Sequence, residues 1–125
     1  MERLGDLMTR DVVSVAPEDT LGEAAQRMAD AEVGSAAVLD HGRLIGILTE
    51  RDLLRAMAGR VHPSDGRVRE WMTREPVVAS EETSLDEAAR TMLENGFRHL
   101  PIVEGERTLG IVSLRDVLRW TVQAD

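Results

Sequence analysis

Slid along itself by 64 positions, the 125-residue chain matches itself over residues 7–57 and 71–121 without a gap. Of those 51 paired positions, 17 are identical. MTRDVVSV falls on MTREPVVA, TLGEAAQRM on SLDEAARTM, and RLIGILTERDLLRAM on RTLGIVSLRDVLRWT. An internal repeat limits the fold more than any other sequence feature, because each copy has to form the same unit. Between the copies, residues 58–70 (AGRVHPSDGRVRE) are polar and carry Gly, Pro, Ser and Asp. They read as a linker followed by a short helix into the second copy. The division expected is repeat one over 1–60, a linker over 61–70 and repeat two over 71–125.

Each copy carries the same local signals. VVSVAP and PVVAS are short β-branched stretches ending in turn residues. Thr20-Leu21-Gly22-Glu23 and Ser84-Leu85-Asp86-Glu87 are capping boxes, a hydroxyl followed three residues later by glutamate. Behind them Leu21, Ala24, Ala25 and Met28 share one helical face, as do Leu85, Ala88, Ala89 and Met92. Strand segments SAAVLD and HLPIVE, turns HGR and GER, and strands LIGIL and LGIVS follow. ERDLLRAM and LRDVLRWT close the copies as helices. The order is β-α-β-β-α, twice, in a mixed α/β (α+β) fold. Neither copy alone has the apolar surface for a core of its own, so the two are expected to pack about an approximate twofold axis.

Composition excludes several functions. There is no cysteine, hence no disulfide, no thiolate metal site and no cysteine nucleophile. Net charge is −8 and every one of the 15 basic residues is arginine; bulk nucleic-acid binding needs clustered positive charge instead. No run approaches the ~18 apolar residues of a membrane span. The opening MERLGDLMTRD has acids among its apolar residues and no signal-peptide core, so a cytoplasmic location is expected. His41 and His62 lie in turn and linker with no third ligand in view, and no metal is expected. No Ser-x-Gly elbow or clustered His/Asp/Glu set points to catalysis, so the chain is not expected to be an enzyme.

GILTERD (residues 46–52) returns as GIVSLRD (residues 110–116). Two readings use the same atoms. In one, Thr49-x-x-Asp52 and Ser113-x-x-Asp116 simply start helices: the hydroxyl caps the N3 amide and the aspartate sits in the favourable first turn. Gly46 and Gly110 then allow close backbone packing. In the other, the helix start presents N–H groups to an anion, and the carboxylate three residues on accepts the two hydroxyls of a ribose.

Taken together, the tandem β-α-β-β-α copies, the paired G-h-h-[ST]-x-x-D junctions, the MT…P openings and FRHLPIV (residues 97–103) resemble a pair of CBS domains, the cystathionine-β-synthase repeats of a Bateman module. The resemblance runs from about residue 4 to 122. It implies one folded unit with two clefts between the copies, binding adenosine ligands: AMP, ADP or ATP first, with NAD and S-adenosylmethionine also in the family's range. It further implies a homodimer, no metal requirement, and a regulatory, non-catalytic role in which a bound nucleotide signals to a partner protein. A ligand-independent structural or dimerisation module is the alternative.

The same resemblance assigns residues. In one cleft Asp116 would hold the ribose and Ser113 would sit near the phosphate. Ile111, Thr9, Val13 and Val33-Gly34 would enclose the adenine. Arg98 and His99 match positions where relatives hold phosphates. Arg115, beside the aspartate like Arg51, would reach a phosphate or remain a solvated helix charge. The other cleft would use Asp52, Thr49 and Ile47 with Thr73, Val77 and Phe97. Its counterpart of Arg98-His99 is the uncharged Gly34-Ser35, so it is expected to be the weaker or empty site. Copy one has Ala37 where copy two has Pro101, which is expected to loosen copy one locally. Trp71 and Trp120 read as core or dimer contacts. The exposed face around Leu53, Leu54, Val117 and Leu118 reads as a dimer surface.

Overall fold

A computed structural model describes residues 2–123. The elements run α1 (Leu4–Leu7), β1 (Ser14–Val15), α2 (Leu21–Ala31), β2 (Ser35–Asp40), β3 (Arg43–Thr49) and α3 (Glu50–Ala58). Then follow α4 (Val68–Trp71), β4 (Thr73–Arg74), α5 (Leu85–Asn95), β5 (His99–Glu104), β6 (Arg107–Ser113) and α6 (Leu114–Gln123). The architecture is mixed α+β in two repeating units.

These compact units do not follow the repeat boundaries. One takes the amino-terminal stretch through Asp11 together with the chain from Val77 onward; the other is Val12–Pro76. Each repeat therefore lends its opening segment to the neighbouring unit. Leu4 and Met8 join Leu85, Ala88, Met92, Leu100, Ile102, Leu109, Val112 and Val117 in one buried cluster. Val68 and Met72 join Val15, Leu21, Ala24, Met28, Ala36, Val38, Leu48 and Ala56 in the other. This exchange is how a copy too small for its own core obtains one: borrowed apolar side chains complete it.

The borrowed segments are held by backbone bonds. Within the first unit Leu4 N–H donates to Thr83 O and Gly5 N–H to Glu81 O, each at 2.9 Å. In the second, Leu21 N–H donates to Gly66 O and Val68 N–H to Asp19 O, also at 2.9 Å. The expected helix into copy two is α4; α1, its counterpart 64 positions earlier, was not legible in the sequence.

Helices α2 and α5 start as their capping boxes require. Thr20 Oγ1 accepts from Glu23 N–H at 3.0 Å while Glu23 Oε1 accepts from Thr20 N–H at 2.9 Å. That backbone bond, then the one with the Thr20 side chain, holds the Glu23 carboxyl below the usual carboxylate range. Ser84 and Glu87 repeat the exchange.

Sheet structure differs between the units. In Val12–Pro76 four strands run in the order β1-β2-β3-β4, with β1 parallel to β2. In the other unit only β5 and β6 pair as strands, and PVVAS contributes a single parallel bridge, Ala79 to Ile102. Ala37 N–H donates to Val13 O at 2.9 Å. Pro101 stands at the matching position and has no N–H to give. The expectation that Ala37 loosens copy one is thus corrected: the proline copy has the less regular pairing. VVSVAP itself is strand only over Ser14–Val15.

Candidate functional site

In the unit that includes Val77 onward, the β6–α6 junction is fixed from three sides. Ser113 Oγ accepts from Asp116 N–H at 3.0 Å, and Asp116 Oδ2 accepts from Ser113 N–H at 3.2 Å. Leu114 N–H donates to Arg98 O at 2.8 Å. In the antiparallel β5–β6 pair His99 lies opposite Ser113. Arg98, His99, Ser113 and Asp116 thus lie together at one end of the hairpin.

Gly110 brings the fourth piece. A β-carbon there would stand 2.7 Å from Met8 Cε and 2.8 Å from Thr9 O, closer than such atoms approach, so only glycine lets the Met8-Thr9 segment lie on β6. Thr9, Ile111 and Asp116 consequently share a hollow of about 200 Å³, walled also by Leu7, Val112, Arg119 and Trp120. The Asp116 side chain is 35% exposed, and its Oδ1 is 3.7 Å from Arg119 Nη1. An open carboxylate in a hollow of mixed polar and apolar lining, with a serine hydroxyl still able to donate its proton, can hold a polyhydroxylated ligand.

In the Val12–Pro76 unit the sequence motif is the same and the outcome is not. Thr49 N–H donates to Asp52 Oδ2 at 2.9 Å, and Asp52 N–H donates to Thr49 Oγ1 at 3.3 Å. Glu50 N–H donates to Gly34 O at 2.9 Å, and Ser35 lies opposite Thr49. Gly46 again admits a close segment: a β-carbon would lie 2.8 Å from Thr73 O. Thr73 pairs directly with Ile47. But Asp52 is buried, its side chain 5% exposed, and Arg55 Nη1 is 3.2 Å from its Oδ1.

The other assigned residues fall as follows. Val13 is half-buried and Val33 exposed; both belong, with Gly34, to the Val12–Pro76 unit. Val77 is exposed and Phe97 packs against the core of the unit that begins again at Val77. Arg115 is exposed in the first turn of α6. The helix-start reading holds at both junctions, because hydroxyl and carboxylate do cap their helices. Two of the first N–H groups of α6 are consumed internally, by Arg98 O and Ser113 Oγ, so the helix end is a smaller anion cradle than the sequence suggests.

Trp120 is a core contact, one of the two roles expected of it, and has a second role besides: it also walls the hollow. Its position four residues after Asp116, one helical turn on, is the signal that would have found it, as Arg119 three residues on is found. Trp71 packs on the other cluster. Among the described residues no group of His, Asp and Glu is arranged to hold a metal ion. No described helix is long and apolar enough to cross a membrane.

Comparison with known proteins places the chain. The CBS-domain family model matches residues 4–59 and again 68–122. An uncharacterized 17.7 kDa protein of Acidianus ambivalens is 40% identical over 119 residues, 94% of this chain and 71% of its own length. Two solved structures align along nearly all of both chains. The CBS domain protein PAE2072 of Pyrobaculum aerophilum, complexed with AMP, has a TM-score of 0.85 at 27% identity, covering 97% of this chain and 98% of its own. The CBS domain pair of protein MJ0100, in complex with 5-methylthioadenosine and S-adenosyl-L-methionine, has a TM-score of 0.90 at 25% identity, covering 100% and 99%. With both repeats matched and the strands and helices repeated in space, the chain belongs to the CBS-domain family as a tandem pair.

Proposed function

We propose that this chain is a ligand-sensing regulatory module that binds an adenosine nucleotide at Asp116 and passes the bound state to a partner protein. The observation that carries this reading is the half-open Asp116 carboxylate in the hollow it shares with Thr9 and Ile111. Oδ1 accepts the ribose hydroxyls, while Oδ2 stays with Ser113 N–H and keeps the carboxylate aimed. Ile111, Leu7 and Trp120 offer apolar surface to the base. Ser113 donates its hydroxyl proton toward the phosphate, and Arg98 and His99 arrive beside it where β5 begins. A chain of net charge −8 attracts an anion only through such local positive charge. Support also comes from the two neighbours above, whose ligands all contain adenosine.

A ligand biases a regulatory equilibrium only by binding one state better than another. The first test is therefore binding itself. Thermal melts with AMP, ATP, NAD and S-adenosylmethionine, each at millimolar concentration, should show a raised midpoint with at least one, because a ligand that binds only the folded state stabilises it. No shift with any of the four would contradict the reading and favour a ligand-indifferent interaction module.

A further inference from the structure

The two junctions carry the same side chains at matching positions, Asp52 with Arg55 and Asp116 with Arg119, yet only one carboxylate is open. We infer that Arg55 is an internal occupant of the first junction: its guanidinium takes the carboxylate oxygen that a ribose would use, so the junction at Asp52 is silent and the chain holds one adenosine ligand. This inference rests on the adenosine reading of Asp116.

Three observations carry it. Arg55 Nη1 lies 3.2 Å from Asp52 Oδ1, inside hydrogen-bond range, whereas Arg119 Nη1 is 3.7 Å from Asp116 Oδ1. The second oxygen is also held more closely at Asp52, 2.9 Å from Thr49 N–H against 3.2 Å from Ser113 N–H. And the Asp52 side chain is 5% exposed where that of Asp116 is 35% exposed. A charged, hydrogen-bonded guanidinium on a buried carboxylate is a stronger partner than a neutral hydroxyl. An incoming ribose would have to displace it, and nothing at Gly34-Ser35 supplies a charge to draw a phosphate in. Arg55 itself is 63% exposed, so its side chain acts as a plug reaching inward from the surface and can be removed without opening the core.

The test uses the full chain, labelled AMP and equilibrium dialysis at saturating ligand. Wild type should bind one AMP per chain, Asp116→Ala none, Arg55→Gln two, and Arg55→Gln/Asp116→Ala one. Adding Asp52→Asn to that last variant should remove its site. The difference between Asp116→Ala and Arg55→Gln/Asp116→Ala reads Arg55 alone. If Asp116→Ala keeps its AMP on a site that Asp116 does not form, the adenosine assignment of Asp116 fails, while this difference still reads the plug. A folded Arg55→Gln protein with the wild-type stoichiometry overturns the inference, as does a wild type with two sites of which one needs Asp52. Arg55→Ala provides a second route; if both substitutions unfold the chain, Arg55 is structural and the inference falls.

Discussion

Gly110 and Thr9 approach so closely that a β-carbon on the glycine would stand 2.8 Å from the threonine's carbonyl oxygen. The contact joins β6 to the segment borrowed from the start of the chain, and it sets one wall of the Asp116 hollow. Gly110→Ala should destabilise the fold by about 1–3 kcal/mol, the usual cost of an inserted methyl that backbone must avoid. It should also weaken AMP binding, because Thr9 is pushed from the hollow. Chemical denaturation checks the first effect and dialysis the second.

The left-handed positions separate the copies by a cheap substitution. Glu32 ends α2 at φ 57, and Gly96 ends α5 at φ 74, at the matching position of the repeat. A side chain in that conformation is strained where glycine is not. Glu32→Gly should therefore stabilise by up to about 1 kcal/mol, and Gly96→Ala should cost about 1 kcal/mol. Shifts in denaturation midpoint at unchanged slope would show it.

Ala37→Pro should convert one unit's sheet toward the other's. It removes the N–H that Val13 O accepts, with an expected loss of about 1–3 kcal/mol. Hydrogen exchange should quicken at Ser14 and Val15 and stay unchanged across β5 and β6.

Much of this was written in the repeat, and the unread part has a physical cause. Capping boxes, helix faces and hairpin turns are local, so their residues announce them. The lending of Leu4, Met8, Val68 and Met72 to the neighbouring unit is a long-range choice among equivalent partners, and two copies with the same pattern of elements carry no local mark of which core receives which segment. The site followed the same rule. Ser113-x-x-Asp116 and Arg98-His99 were legible as motifs and do converge, whereas Leu7 enters the hollow only through the borrowed segment. The closure of Asp52 could not be read at all, since Arg55 and Arg119 are the same residue type at the same spacing, and only the geometry separates them.

Acid should weaken the fold in part through Glu23. Its carboxyl is held below the ordinary range by Thr20, so the native state prefers the ionised form. That contribution is whole above the ordinary carboxylate pKa and fades as pH drops through the lowered native value. Melting midpoints measured from neutral pH down to the acid range should fall, and Glu23→Gln should show a shallower fall.

Binding of AMP to wild type and to Asp116→Ala, measured by titration calorimetry, tests the central claim most directly. The ribose contact predicts saturable binding to wild type and no saturation of the variant over the same concentration range, because the charge-assisted hydrogen bonds to the ribose are lost. Equal affinity in the two proteins, with the variant folded, would contradict it.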